Sequence, residues 1–101
     1  MRMLFITMSY NEFVFTGIIY KECDKYSALC PELDVASEGN ILAEASDNLF
    51  EAVTLYLETA IEGNLPYLRP ILLDEDPRKT HSESIASIFR LKVDFQIKVH
   101  A

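Results

Sequence analysis

The sequence predicts an α+β fold, a small and largely antiparallel β-sheet of three or four strands with one long helix packed across it. Three observations carry that prediction. Phe13-Val14-Phe15-Thr16-Gly17-Ile18-Ile19-Tyr20 is β-branched and aromatic, the composition of a strand. Leu42, Ala45, Leu49, Ala52, Val53, Tyr56, Leu57 and Ala60 recur at steps of three and four, the stripe of an amphipathic helix. Leu91, Val93, Phe95, Ile97 and Val99 alternate with Lys92, Asp94, Gln96, Lys98 and His100, the period of a half-buried strand. A chain of 101 residues makes a single domain, residues 1–101.

The first strand is apolar at odd and even positions, so both its faces need cover. The helix can take one and a partner subunit the other, which predicts a homodimer or a higher oligomer. Leu4 to Met8 is either a separate short strand or the lead-in to this one. Asp24-Lys25 fits a two-residue hairpin turn. That turn sets Cys23 opposite Tyr26, Glu22 opposite Ser27 and Ile19 opposite Cys30, too far along the hairpin for Cys23 and Cys30 to bridge. Both cysteines read as small buried hydrophobes.

Pro31-Glu32 ends the second strand, and Leu33–Ser37 forms a short third. Glu38-Gly39-Asn40 is a turn into the helix, which spans about 41–62. Asn40 is a good N-cap and Gly63 a good C′ residue. Leu49, Val53, Tyr56 and Leu57 are expected to be buried together. Leu65–Pro70 is an extended, proline-limited connection, and 74–79 an exposed loop. Thr80-x-x-Glu83 has capping-box spacing and predicts a short helix over 81–88. The C-terminal strand needs a neighbour or leaves an open edge. His81 and His100 read as exposed.

Charge is unevenly spread. Residues 1–76 hold four Lys or Arg against fourteen acids, and residues 77–101 hold five against two. The 43 residues from Tyr26 to Leu68 carry eight acids and no Lys or Arg. A net charge of −7 argues against binding to nucleic acid or anionic membrane. No apolar run approaches the ~20 residues of a membrane span. The N-terminus lacks the apolar core and cleavage site of a signal peptide, which predicts a cytoplasmic protein. Two cysteines without a CxxC spacing offer neither a disulfide scaffold nor a zinc thiolate pair. The helix face opposite the apolar stripe carries Glu44, Asp47, Glu51, Glu58 and Glu62, with no cation on the helix to offset them.

The segment Ile18-Ile19-Tyr20-Lys21-Glu22, the run Tyr26–Asn40 with Cys30-Pro31-Glu32-Leu33 and Ser37-Glu38-Gly39-Asn40, the pair Glu44-Ala45, and Glu51-Ala52 ahead of Tyr56-Leu57-Glu58 together resemble the HicB-like antitoxin family. The resemblance covers about residues 13–66. It departs at Ile41, where the family has a capping Thr, and at the C-terminus, where 77–101 ends in a strand without the two helices of a DNA-binding region. The resemblance implies a partial RNase H-like fold, no cofactor, and a partner of the HicA type, a small basic mRNA interferase whose catalytic histidine the antitoxin covers. The family's role as an operator-binding repressor is not carried over.

The leading expectation is therefore a non-enzymatic, antitoxin-like binding module. An alternative is a stand-alone HicB-like homo-oligomer with another ligand or no toxin. A relic nuclease would have to use Glu22, Asp24, Glu32 and Asp34, acids that cluster at a turn and a strand break, so no catalytic or metal-binding residue is expected. Two patches are candidates for the partner: Glu22, Asp24 and Glu32 at the strand ends, favoured because the hairpin and Pro31 hold them in place, and Glu44, Asp47 and Glu51 on the helix.

Overall fold

A computed structural model of the chain describes the backbone of residues 6–100 and the side chains of residues 12–94. Strand β1 is Ile6–Glu22, β2 Lys25–Cys30 and β3 Val35–Gly39; helix α1 is Leu42–Glu62, α2 Pro77–Thr80, and strand β4 Ile85–His100. The strands make one four-stranded sheet in the order β3-β2-β1-β4, each neighbour antiparallel. Ile6–Met8 continues directly into β1; Leu4 and Phe5 lie outside the described residues.

The β1–β2 turn is Cys23-Asp24, not Asp24-Lys25, because Glu22 pairs with Lys25, Tyr20 with Ser27 and Ile19 with Ala28. Cys23 takes φ 57°, the left-handed backbone that a tight hairpin turn requires. Moving the turn by one residue shifts the register by two, so every side chain keeps its face. Ile19, Ala28 and Cys30 still point at the helix. Cys30 is fully buried, and burial with the nearby Glu32 carboxylate pushes its thiol up to about 12. Cys23 is exposed on the turn, against the expectation of a buried residue. β3 starts at Val35 rather than Leu33. Leu33 sits in the preceding turn with its side chain wholly buried.

Helix α1 buries Ala45, Leu49, Val53, Leu57 and Ala60 against Phe15, Ile19, Ala28, Cys30, Leu91 and Val93 of the sheet. Tyr56 is half-buried, its hydroxyl donating to the Tyr67 carbonyl at 2.8 Å. The caps differ from expectation. Ile41 is the N-cap and offers no side-chain bond; instead the Glu44 carboxylate accepts the Asn40 backbone N–H at 2.6 Å. At the other end Gly63 is still near-helical at φ −85°, and Asn64, at φ 54°, takes the left-handed C′ position. Asn64 N–H donates to Ile61 O and Leu65 N–H to Ala60 O, the paired bonds of a Schellman motif. Segment 65–72 then runs back along the turn after β2, with Arg69 N–H on Glu32 O and Ile71 N–H on Pro31 O.

The second face of β1 is covered from within the chain at its hairpin end, around Ile18, while Val14 and Ile88 on that face stay about half exposed. Ile18 is wholly buried yet lies outside the helix-side core. The segment expected as an exposed loop forms a 3-10 turn at Leu73–Glu75 and then α2, which with the 3-10 turn Ser82–Ser84 contacts β1. Pro77 is buried, and the His81 ring lies 4.7 Å from that of Tyr20, so His81 is a half-buried side chain and not a free one. Residues 81–88 do not form the expected helix. Thr80 bonds back to the Asp76 carbonyl and to His81 Nδ1 and does not reach Glu83. The helix is instead capped one turn earlier by Asp76 with Pro77 at its first position, where proline's fixed φ suits a helix start.

Asp76 is 8% exposed. Its carboxylate accepts the Arg78 backbone N–H at 2.8 Å and the guanidinium at 2.6–3.1 Å. The Arg78 hydrogen bonds hold this carboxyl below the usual aspartate range, against the opposing push of burial. A carboxyl whose folded value is depressed adds stability above its unfolded value and loses it as pH falls through the folded one. Asp76→Ala is expected to cost about 1–2 kcal/mol at pH 7. In acid denaturation the gap to the native protein closes once pH drops below the ordinary aspartate range near 3.8. A gap that stays constant from pH 7 to pH 2 would contradict this account.

Candidate partner-binding surface

The six acids singled out from the sequence fall in three places. Glu22 and Asp24 stand at the β1–β2 hairpin. Glu22 accepts the Ser27 hydroxyl at 2.8 Å and lies 3.7 Å from His81 Nε2. Lysines surround this end: Lys25 pairs with Glu38 at 3.1 Å, and Lys21 sits over the Tyr26 ring. Glu32 is at the opposite end of β2, about 20 Å away at ~3.3 Å per residue. Its two carboxylate oxygens accept the Thr16 N–H at 3.0 Å and the Thr16 hydroxyl at 2.7 Å, and the Cys30 thiol donates to one of them at 3.7 Å. Glu32 thus ties the turn after β2 to β1, and the expected strand-end trio does not form one patch.

The helix acids do form one. Glu44, Asp47, Glu51, Glu58 and Glu62 are all exposed on the side of α1 away from the sheet. Among the described residues none of them makes an ion pair, since those formed involve Glu12, Glu22, Glu38, Asp74 and Asp76. Two apolar side chains flank the acids, Phe50 at 47% exposure and Leu55 at 58%. With Asp47, Glu51 and Thr54 they line a shallow depression. Sequence reading passed over Phe50 and Leu55. The available signal was spacing: Leu55 falls among the acids, opposite the apolar stripe, and Phe50, three residues before Val53 and seven before Leu57, falls on the border between the stripe and the acids. A flat acidic strip bordered by apolar side chains has the makeup of a docking face: charge steers the approach, and the apolar groups supply buried area.

Among the described residues no three His, Cys, Asp or Glu side chains come together as a metal site would require. Glu22 and Asp24 stand at one end of β2, Glu32 and Asp34 at the other. No helix of the described residues is long and apolar enough to cross a membrane.

No family model matches the chain, and no curated protein does. Among solved structures it is similar to a chain of one described as "HicA3 and HicB3 toxin-antitoxin complex", with a TM-score of 0.51 and 20% identity over 81% of this chain and 94% of that one. At that identity the likeness is one of fold. The α+β architecture described above is thus one that a component of a toxin–antitoxin complex also adopts.

Proposed function

We propose that this chain is a non-enzymatic, antitoxin-like module that binds a small basic toxin of the HicA type through the outer face of α1. The observation that carries the reading is the exposed, cation-free row of five acids on that helix with Phe50 and Leu55 beside it. A protein that grips RNA presents a basic surface, and such a row can occupy it in place of phosphate. The sequence resemblance to HicB-like antitoxins and the fold shared with a toxin–antitoxin complex chain support the partner class. The partial RNase H-like description of the fold belongs to the same reading. Cations interspersed at the hairpin, and the internal bonds of Glu32, favour the helix face over the strand-end acids.

Charge reversal tests this. In Asp47→Lys/Glu51→Lys protein, association with a purified HicA-like toxin is expected to slow by roughly tenfold or more at 0.1 M salt, with the difference largely gone at 1 M, where the Debye length is ~3 Å. Glu22→Lys/Asp24→Lys should change little. If neither reversal alters the association rate, the acids serve solubility and the alternative of a stand-alone homo-oligomer takes over.

A further inference from the structure

We propose that the open edge of β4 is a self-association surface, on which a second copy of this chain pairs its own β4 antiparallel about a two-fold axis through Val93. β4 is 16 residues long and lies at the end of the sheet order, hydrogen-bonded to β1 alone. β2 joins β1 only at Ile18–Glu22, while β4 pairs with it from Ile6 to Tyr20. The outer part of these two strands is therefore a two-stranded ribbon projecting from the helix-covered body. The molecule measures 62 × 26 × 18 Å, with a radius of gyration of 16.5 Å against about 13 Å for a compact chain of this length. An isolated two-stranded ribbon is marginal in water, and a long unpaired edge is a template for another strand.

Charge and register select the occupant and the axis. In the β1–β4 ladder Glu12 stands directly opposite Asp94, a like-charge pairing that disfavours the sheet. Lys92 reaches Glu12 at 3.4 Å, and Asp94 has no ion pair among the described residues. An axis through Val93 sets Lys92 of each copy opposite Asp94 of the other, giving two opposite-charge pairs. An axis through Asp94 sets Asp94 opposite itself, and one through Leu91 sets Arg90 opposite Lys92. An axis through Lys92 does pair Arg90 with Asp94, but it also sets Lys92 against Lys92. The Val93 axis is therefore the one that gives opposite charges with no like-charge pair among residues 90–94. The Val93 axis also lies at the middle of the strand, so positions 86–100 of both copies overlap. Each projecting ribbon would then lie along the other copy's body, as the centre of an eight-stranded sheet. Both α1 helices would stay on one face with their acidic sides outward, so this surface does not compete with the toxin-binding one.

The test is the mass of the full chain in solution. Light scattering and sedimentation over 1–200 µM are expected to show a dimer, twice the 11.5 kDa chain. Asp94→Lys relieves the opposition with Glu12 inside the chain but sets a lysine against Lys92 of the second copy. It should therefore weaken dimerisation by roughly tenfold while the circular dichroism of the folded chain is kept. The exchange Lys92→Asp/Asp94→Lys restores opposite charges across the axis and should restore the dimer. A native monomer at 200 µM overturns the proposal. So does a dimer indifferent to Asp94→Lys, or an exchange variant as weak as the single one.

Discussion

Leu49→Ala is expected to remove about 2–5 kcal/mol of stability, a large share of the ~5–15 kcal/mol that holds a domain of this size together. Leu49 is wholly buried near the middle of α1, in the core cluster that also holds Ala45 and Val53 of the helix and Phe15, Ile19 and Cys30 of the sheet. The sheet is held by its hydrogen-bond ladder and cannot collapse into the space left behind, so the loss includes a cavity as well as the lost transfer of methyl groups from water. Urea unfolding of the two proteins measures it, as a lower midpoint at an unchanged slope. Glu51→Ala, on the solvent side of the same helix, should shift stability by less than about 0.5 kcal/mol. Equal losses in the two variants would mean that the helix faces are assigned wrongly.

Gly39→Ala is expected to be about as damaging as a core truncation, at roughly 3 kcal/mol, the upper end for overpacking. Gly39 ends β3 and is buried beneath the first turn of α1. A methyl group there would collide with the backbone of Glu44 and Ala45, and backbone atoms cannot swing aside as a side chain can. Relief would require the helix to lift off the strand, and it would uncover Ala45, which is fully buried there. Gly63→Ala is the matched control. Its φ of −85° suits alanine, and a Cβ would come no nearer than 3.3 Å to the Leu65 side chain and the Thr59 carbonyl, so a change within about 1 kcal/mol is expected. Thermal melts of both variants separate the two cases. A near-neutral Gly39→Ala would show that the strand and helix are further apart than described.

Gly17 poses a related problem with a different solution. It pairs with Phe89 on β4, and the Phe89 ring occupies the space where a side chain at 17 would stand. A large ring thus covers a bare stretch of backbone from the neighbouring strand. Sequence spacing alone does not pair residue 17 with residue 89, because their contact depends on β4 folding back beside β1.

Periodicity determined the main architecture without any tertiary information. The stripe Leu42–Ala60, the two-faced apolar run Phe13–Tyr20 and the alternation after Leu91 each reflect burial, and burial acts on side chains at spacings set by local backbone geometry. The acidic side of α1 was legible for the same reason: solvent-facing positions on a helix follow from the buried ones. What the sequence by itself could not decide depended on competition between close local alternatives or on contacts distant in the chain. Cys23-Asp24 and Asp24-Lys25 are adjacent turns of similar chemistry, and only the register of the whole hairpin selects between them. Thr80 with Glu83 and Asp76 with Pro77 are both helix-start signals, and the second prevails because the Asp76 carboxylate also holds the Arg78 guanidinium. Glu32, which the sequence places with Glu22 and Asp24 at the strand ends, is brought by the turn after β2 to Thr16, sixteen residues away. The covering of Ile18 by the chain's own segment 73–84, and the long unpaired edge of β4, were decided only by the tertiary structure, since both depend on where residues beyond the helix return to the first strand.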